Sequence, residues 1–230
     1  MKLYQGDCLE VMKDMADKSV DMILTDIPYN EVNDNKYCVD RSKYKGQLRR
    51  YNKGIADDLN FNINKLIAEL DRVCRGSIYI FCGLNQAPEI LNYFKNERAK
   101  EYMARLCVWK KTNPTPSNGQ HMWLSGTELC VFAKRRKTTF KAFCKSNVWE
   151  YPAGTSKLHP TQKPIKLFEY LIKSSTNEGD IVLDCCMGSG TTGVACQHLN
   201  RNFIGIELDA GYFNIAKQRI EQARETKELF

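Results

Sequence analysis

Asp184-Cys185-Cys186-Met187-Gly188-Ser189-Gly190-Thr191-Thr192 closes the short apolar run that begins at Ile181, and a helical pattern from Thr192 to Leu199 opens behind it. A strand ending on a carboxylate, a turn with glycines at 188, 190 and 193, and a helix N-terminus together build the nucleotide-like crevice of an open α/β sheet. Glycine lets the backbone approach a ligand and lets the helix pack close to the strand. Working outward from this stretch, the same alternation recurs. Apolar runs predict strands over Val20–Thr25, Ser77–Cys82, Arg105–Trp109, Glu128–Ala133, Ile181–Asp184 and Phe203–Ile206, with a weaker one over Lys2–Tyr4. Amphipathic stretches predict helices over Leu9–Met15, Asn62–Val73, Pro88–Phe94, Pro164–Lys173, Thr192–Leu199 and Tyr212–Ala223. The fold class expected is α/β, a doubly wound, Rossmann-like and mostly parallel sheet with helices on both faces. The runs at Arg105–Trp109 and Glu128–Ala133 have no evident helix between them, which predicts an antiparallel edge.

The chain has 230 residues, which suits one large domain, and a net charge of +7, a mild bias toward polyanionic partners. Its ten cysteines lie mostly within apolar strand-like runs, so reduced, buried thiols are expected rather than a disulfide scaffold. No Cys-x-x-Cys pair occurs, and His121, His159 and His198 are not spaced to complete a zinc site, so no metal is expected. The N-terminus lacks a signal-peptide pattern and no apolar stretch approaches a bilayer span, which predicts a cytoplasmic protein with no membrane partner.

Read bare, the glycines at 188, 190 and 193 with Glu207 at the end of the next strand form a dinucleotide fingerprint. Asp184 argues against a pyrophosphate, which it would repel. It suits a cofactor carrying an ammonium and a sulfonium, as S-adenosylmethionine does. Near the other end of the chain, Asp26-Ile27-Pro28-Tyr29 ends a second apolar run. An exocyclic amine on a base is a poor nucleophile, because its lone pair is delocalised into the ring. Asp26 and a backbone carbonyl in the Ile27–Pro28 region could grip such an amine, and Tyr29 could stack on the base once extruded. The pairing of the two strand-end motifs points to methyl transfer to a base amino group.

These motifs resemble those of the amino-group DNA methyltransferases, in the permuted group where the base-handling motif precedes the cofactor motif. His159-Pro160-Thr161-Gln162-Lys163-Pro164 resembles a further motif of that group, and Gly6-Asp7 and Glu207 resemble its adenine-contacting and ribose-contacting acids. The resemblance implies a seven-stranded sheet with S-adenosylmethionine as cofactor. It implies cofactor contacts at Asp7, Thr161, Lys163, Asp184, Cys186, Gly188, Gly190, Thr191, Thr192 and Glu207, with Asp26, Ile27, Pro28 and Tyr29 as the catalytic motif. Ile27 stands where the family usually has proline, and Cys185 and Cys186 replace its common Pro and Phe. An initial Asp leans toward adenine N6 over cytosine N4. A catalytically silent DNA-binding module retaining the fold is the alternative from another class.

Double-stranded DNA is the partner expected. Lys36, Arg41, Lys43, Lys45, Arg49, Arg50 and Lys53 form a dense cationic run in a loop at about 30–57, and Lys134-Arg135-Arg136-Lys137 a second, so Arg135 and Arg136 join the expected phosphate contacts. The resemblance assigns target recognition to a segment at about 134–156, short enough to predict a brief target or relaxed specificity. It is compatible with a homodimer and with a partner restriction nuclease. Trp109 is a candidate for the far wall of the base pocket, with burial in the core the favoured fate.

Overall fold

The computed structural model describes residues 1–29, 62–114, 121, 123–154 and 163–228. Eight strands form one sheet: β1 (Lys2–Gln5), β2 (Val20–Asp26), β3 (Cys74–Cys82), β4 (Tyr102–Lys111), β5 (Thr127–Arg135), β6 (Val148–Tyr151), β7 (Ile181–Asp184) and β8 (Asn202–Glu207). Their order across the sheet is β1-β8-β7-β2-β3-β5-β4-β6. Among these strands β5 alone runs against its neighbours, pairing antiparallel with both β3 and β4. The antiparallel pair expected from sequence is therefore present. The sheet has one strand more than the seven the resemblance implied, because Val148–Tyr151 pairs in parallel with β4 at the outer edge. That strand occupies part of the stretch expected to serve target recognition.

The α-helices among the described residues are α1 (Cys8–Lys13), α2 (Ile63–Val73), α3 (Ala87–Asn92), α4 (Ile165–Ser175), α5 (Thr191–His198) and α6 (Ala210–Glu228). A π-helical turn, Tyr93–Glu97, extends α3. Strand periodicity of two sends alternate residues of the central strands to opposite faces. Ile78 and Ile80 of β3 join a core with Met12 of α1, Leu66, Ile67 and Leu70 of α2 and Ile90 of α3. Tyr79 and Phe81 join another with Leu167, Phe168 and Leu171 of α4, Val194 and Ala195 of α5, and Ala216 and Ile220 of α6. Helices from the first half of the chain thus cover one face and those from the second half the other.

This division places the site. From β2 the chain crosses through α2 to β3 on one side, whereas from β7 it crosses through α5 to β8 on the other. β2 and β7 are neighbours, paired in parallel at Met22↔Val182 and Ile23↔Leu183. Crossovers that diverge from adjacent parallel strands leave a crevice outside the strands' carboxyl ends. The two strands whose ends open it are those that finish on Asp26 and Asp184.

Candidate active site

Asp26, Lys163, Phe168, Asp184, Cys186, Met187, Gly188, Ser189, Thr191 and Thr192 line one crevice at the carboxyl ends of β2 and β7. On its β7 side the turn is tied down by backbone and hydroxyl donors. Asp184, only 3 % exposed, accepts from the Thr192 hydroxyl at 2.5 Å and from the Cys186 amide at 3.1 Å. Burial pushes its carboxyl up to about 7, against the pull of hydrogen bonds from Thr192 and Thr25. Glu207, at the end of β8, accepts from the amides of Gly188 at 2.8 Å and Asp209 at 2.9 Å, and burial raises it too. Gly190, the N-cap of α5, has φ +80°, a left-handed conformation that favours glycine, and a Cβ there would meet Ala216 at 2.9 Å. Arg219 of α6 donates to the carbonyl and, at 2.8 Å, to the hydroxyl of Ser189, clamping the turn from outside.

The β2 side is built from ionisable side chains instead. Asp26 keeps 28 % of its side chain exposed and accepts from the buried Lys163 ammonium at 2.5 Å. The Tyr29 hydroxyl donates to Asp26 at 2.8 Å and to Glu128 at 3.3 Å. Lys163 also pairs with Glu128 at 2.9 Å, and Glu128 with Lys111 at 2.8 Å. Burial by itself would push the Lys163 ammonium down, but Asp26 and Glu128 outweigh it and hold it up, in its charged form. Burial, reinforced by the negative charge of Glu128, pushes Asp26 up against the pull of Lys163. Glu128 ends lowered, because Lys163 and Lys111 overcome its own burial. Ile27 continues the ladder, its amide donating to the Phe81 carbonyl at 3.1 Å, and its side chain is 2 % exposed in the core. The carbonyl of Pro28 accepts from buried Gln86 at 2.8 Å, which fixes the path of the loop.

A family model described as DNA methylase matches residues 20–218, a span that includes both strand ends. The chain belongs to the N6/N4 DNA methylase family. It is 30 % identical over 242 residues to the type II methyltransferase M2.MboI of Moraxella bovis, covering 96 % of this chain and 87 % of the relative. It is 31 % identical over 255 residues to the type II methyltransferase M.HpaI of Haemophilus parainfluenzae, covering 96 % and 74 %. Among solved structures it resembles an M1.HpyAVI–SAM complex, with TM-score 0.71, 31 % identity and coverage of 95 % and 98 % of the two chains. It matches the cytosine-N4-specific PvuII DNA methyltransferase at TM-score 0.71 with 15 % identity, covering 98 % and 90 %, a likeness of fold alone.

Asp26, Lys163, Asp184, Cys186, Gly188, Thr191 and Thr192 come together in the crevice, with Glu207 bonded to its glycine turn. Asp7 lies at the same end of the sheet, beside Glu207, since the Gly6 amide donates to the Glu207 carbonyl; its carboxylate caps α1 through the amides of Leu9 and Glu10. Thr161 and the cationic residues from Lys36 to Lys53 lie outside the described residues.

Arg135 and Arg136 require correction. In β5 Leu129 stands opposite Cys82, at the crevice end of β3, whereas Lys134 stands opposite Ser77 near its start. Five residues of strand, roughly 17 Å, separate these levels, so Arg135 and Arg136 sit at the far end of the sheet. Arg135 is consumed there, paired with Asp71 at 2.5 Å and Glu101 at 2.7 Å and stacked on the Tyr102 ring. Arg136 donates to the Ala99 carbonyl at 3.1 Å.

Trp109 is in the core at 2 % exposure, its indole donating to the Tyr151 carbonyl. Sequence reasoning missed Glu128, Gln86 and Arg219. Glu128 had a usable signal, an acid at the start of an apolar run in the antiparallel strand. A strand of reversed direction begins where its neighbours end.

Proposed function

We propose that this DNA methyltransferase modifies N6 of adenine in double-stranded DNA, with S-adenosylmethionine as the methyl donor. The observation that carries the methyl-transfer reading is the pair of carboxylates, Asp26 and Asp184, lining one crevice at the topological switch point, and the choice of adenine rests on Asp as the first residue of the base-handling motif. The residues fit the cofactor. Asp184 is an acid held by neutral donors, a hydroxyl and a backbone amide, and burial raises its carboxyl. An ammonium beside it would supply a matching charge. Bound S-adenosylmethionine supplies a methyl group made electrophilic by its sulfonium. Asp184, Cys186, Gly188, Gly190, Thr191 and Thr192 would hold its amino-acid end, with Thr161 and Lys163 nearby, and Glu207 and Asp7 its nucleoside end.

On the base side, Asp26 accepts from the exocyclic amine. A carboxylate offers about four lone-pair directions, and Lys163 and Tyr29 occupy two of them, so acceptor capacity remains for the base. The Ile27 carbonyl is the second acceptor, positioned by the ladder bond that precedes it and by Gln86 beyond it. Two acceptors fixed beside the amine favour a pyramidal nitrogen, and orientation then provides most of the acceleration. The amine must shed a proton as it is methylated, and the raised carboxyl of Asp26 is suited to take it. Tyr29 stacks on the flipped base after giving up its bond to Asp26. The cationic residues from Lys36 to Lys53 hold the phosphates.

The test is nucleoside mass spectrometry of unmethylated plasmid DNA incubated with the protein and S-adenosylmethionine. N6-methyladenine is the expected product, absent with Asp26→Ala. N4-methylcytosine in its place overturns the choice of base, and full activity of Asp26→Ala overturns the role given to that carboxylate.

A further inference from the structure

We propose that Cys8, Cys185 and Cys186 form a binding site for one thiophilic d10 metal ion of the zinc(II) class, at the edge of the crevice. The three Sγ atoms all lie within 4.8 Å of one another, and all three are free thiols. Zinc binds sulfur at about 2.3 Å, which sets sulfurs about 3.8 Å apart around a tetrahedral ion. The cluster therefore needs to draw in by no more than about 1 Å to close on a metal. Three soft sulfur donors with no oxygen or imidazole among them select ions of this kind.

The fold assembles the set from two places. Cys8 opens α1 just after β1, and Cys185 and Cys186 follow β7, with β8 the one strand between. Thr25 lies at 3.4 Å from the Cys185 sulfur, so its hydroxyl can donate to the thiolate and orient it, as outer partners of metal ligands do. A three-ligand set leaves a fourth position open. Cys186 lines the crevice, and its amide holds Asp184, so an ion here sits against the turn that shapes the crevice. Binding is balanced by release of the three thiol protons to solvent, giving three thiolates around a divalent ion.

Cadmium(II) titrated into the reduced, full-length protein is the first test. The ultraviolet sulfur-to-cadmium absorption should saturate at one ion per chain. Cys8→Ala and Cys186→Ala should each weaken binding by more than about 10-fold, the cost of losing even an outer-shell partner. Cys144→Ser, at an exposed thiol outside the cluster, should change nothing. A second test needs no variant: zinc(II) should protect Cys8 and Cys186 of the native chain from iodoacetamide, read by peptide mass spectrometry. Absence of one-to-one cadmium binding, undiminished binding by Cys8→Ala, or equal alkylation with and without zinc each overturns the proposal.

Discussion

Two carboxylates end adjacent parallel strands, yet Asp26 and Asp184 live in different electrostatic worlds. Asp184 is sealed, 3 % exposed, and held by a hydroxyl and a backbone amide. Asp26 is 28 % exposed and held by an ammonium and a phenol. Neutral donors stabilise a buried carboxylate less than a cation does, so Asp184 is poised near neutrality until a cation reaches it. Asp26 carries its counter-charge with it and stays reachable. The same residue type at the same kind of strand end thus serves two purposes: one builds a receptor for positive charge, the other presents a reactive acceptor.

The sharpest way to break this comparison is to remove each carboxylate in turn. Asp26→Ala should cut methylation of plasmid DNA by roughly 10³-fold, the scale of losing one preorganised polar group aimed at the reacting atoms. Cofactor affinity in calorimetry should be nearly unchanged. Asp184→Ala should reverse the pattern, with S-adenosylmethionine binding lost first. If both variants lose cofactor binding alike, the division of labour is wrong.

Titration sharpens the contrast. The folded carboxyl of Asp184, at about 7, lies above its unfolded value of 3.8. Between those two pH values the folded state binds more protons than the unfolded, so this group makes stability fall as pH rises from about 4 to about 7. The rise corresponds to at most roughly 4 kcal/mol. Urea unfolding of the cofactor-free protein at pH 5 and pH 8 should show a smaller drop in Asp184→Asn than in the wild type. S-adenosylmethionine affinity of the wild type should increase over the same interval, as the carboxylate becomes charged.

Lys163→Met tests the other side. It leaves Asp26 and Glu128 facing each other without their shared cation, and breaking a buried pair by removing one partner costs about 3 kcal/mol. Asp26 should rise further, moving the acid limb of the kcat/KM profile to higher pH. An unshifted limb would mean that Asp26 does not set it. The smallest effect is expected from Tyr29→Phe, which keeps the ring and removes one hydrogen bond, worth about 1 kcal/mol. Activity should fall by no more than about 10-fold, whereas Tyr29→Ala, lacking the stacking surface, should lose more.

Much of the fold was legible because burial on both faces of a parallel sheet writes itself as short apolar runs. Val20–Asp26, Cys74–Cys82 and Ile181–Asp184 lie close to where those runs predict strands. Val148–Tyr151 escaped because an edge strand of four residues with one buried side chain carries almost no such signal. The glycine turn was legible for a local reason, since backbone conformation is decided within a few residues. The partners of the ionisable side chains were not. Lys163 reads as a cofactor contact by motif, yet it bridges Asp26 and Glu128, and Arg135 reads as a free cation in a basic run, yet Asp71 and Glu101 hold it.

The sequence by itself determined most of the strands, the two strand-end motifs and their order, and hence the family, because each depends on neighbours along the chain. Only the tertiary structure decided which charges meet and at which end of the sheet. Strand direction and register bring Glu128 into the crevice, take Arg135 away from it, and gather three sulfurs from opposite ends of the chain. Coulomb energy depends on distance in space, which no spacing along the chain records.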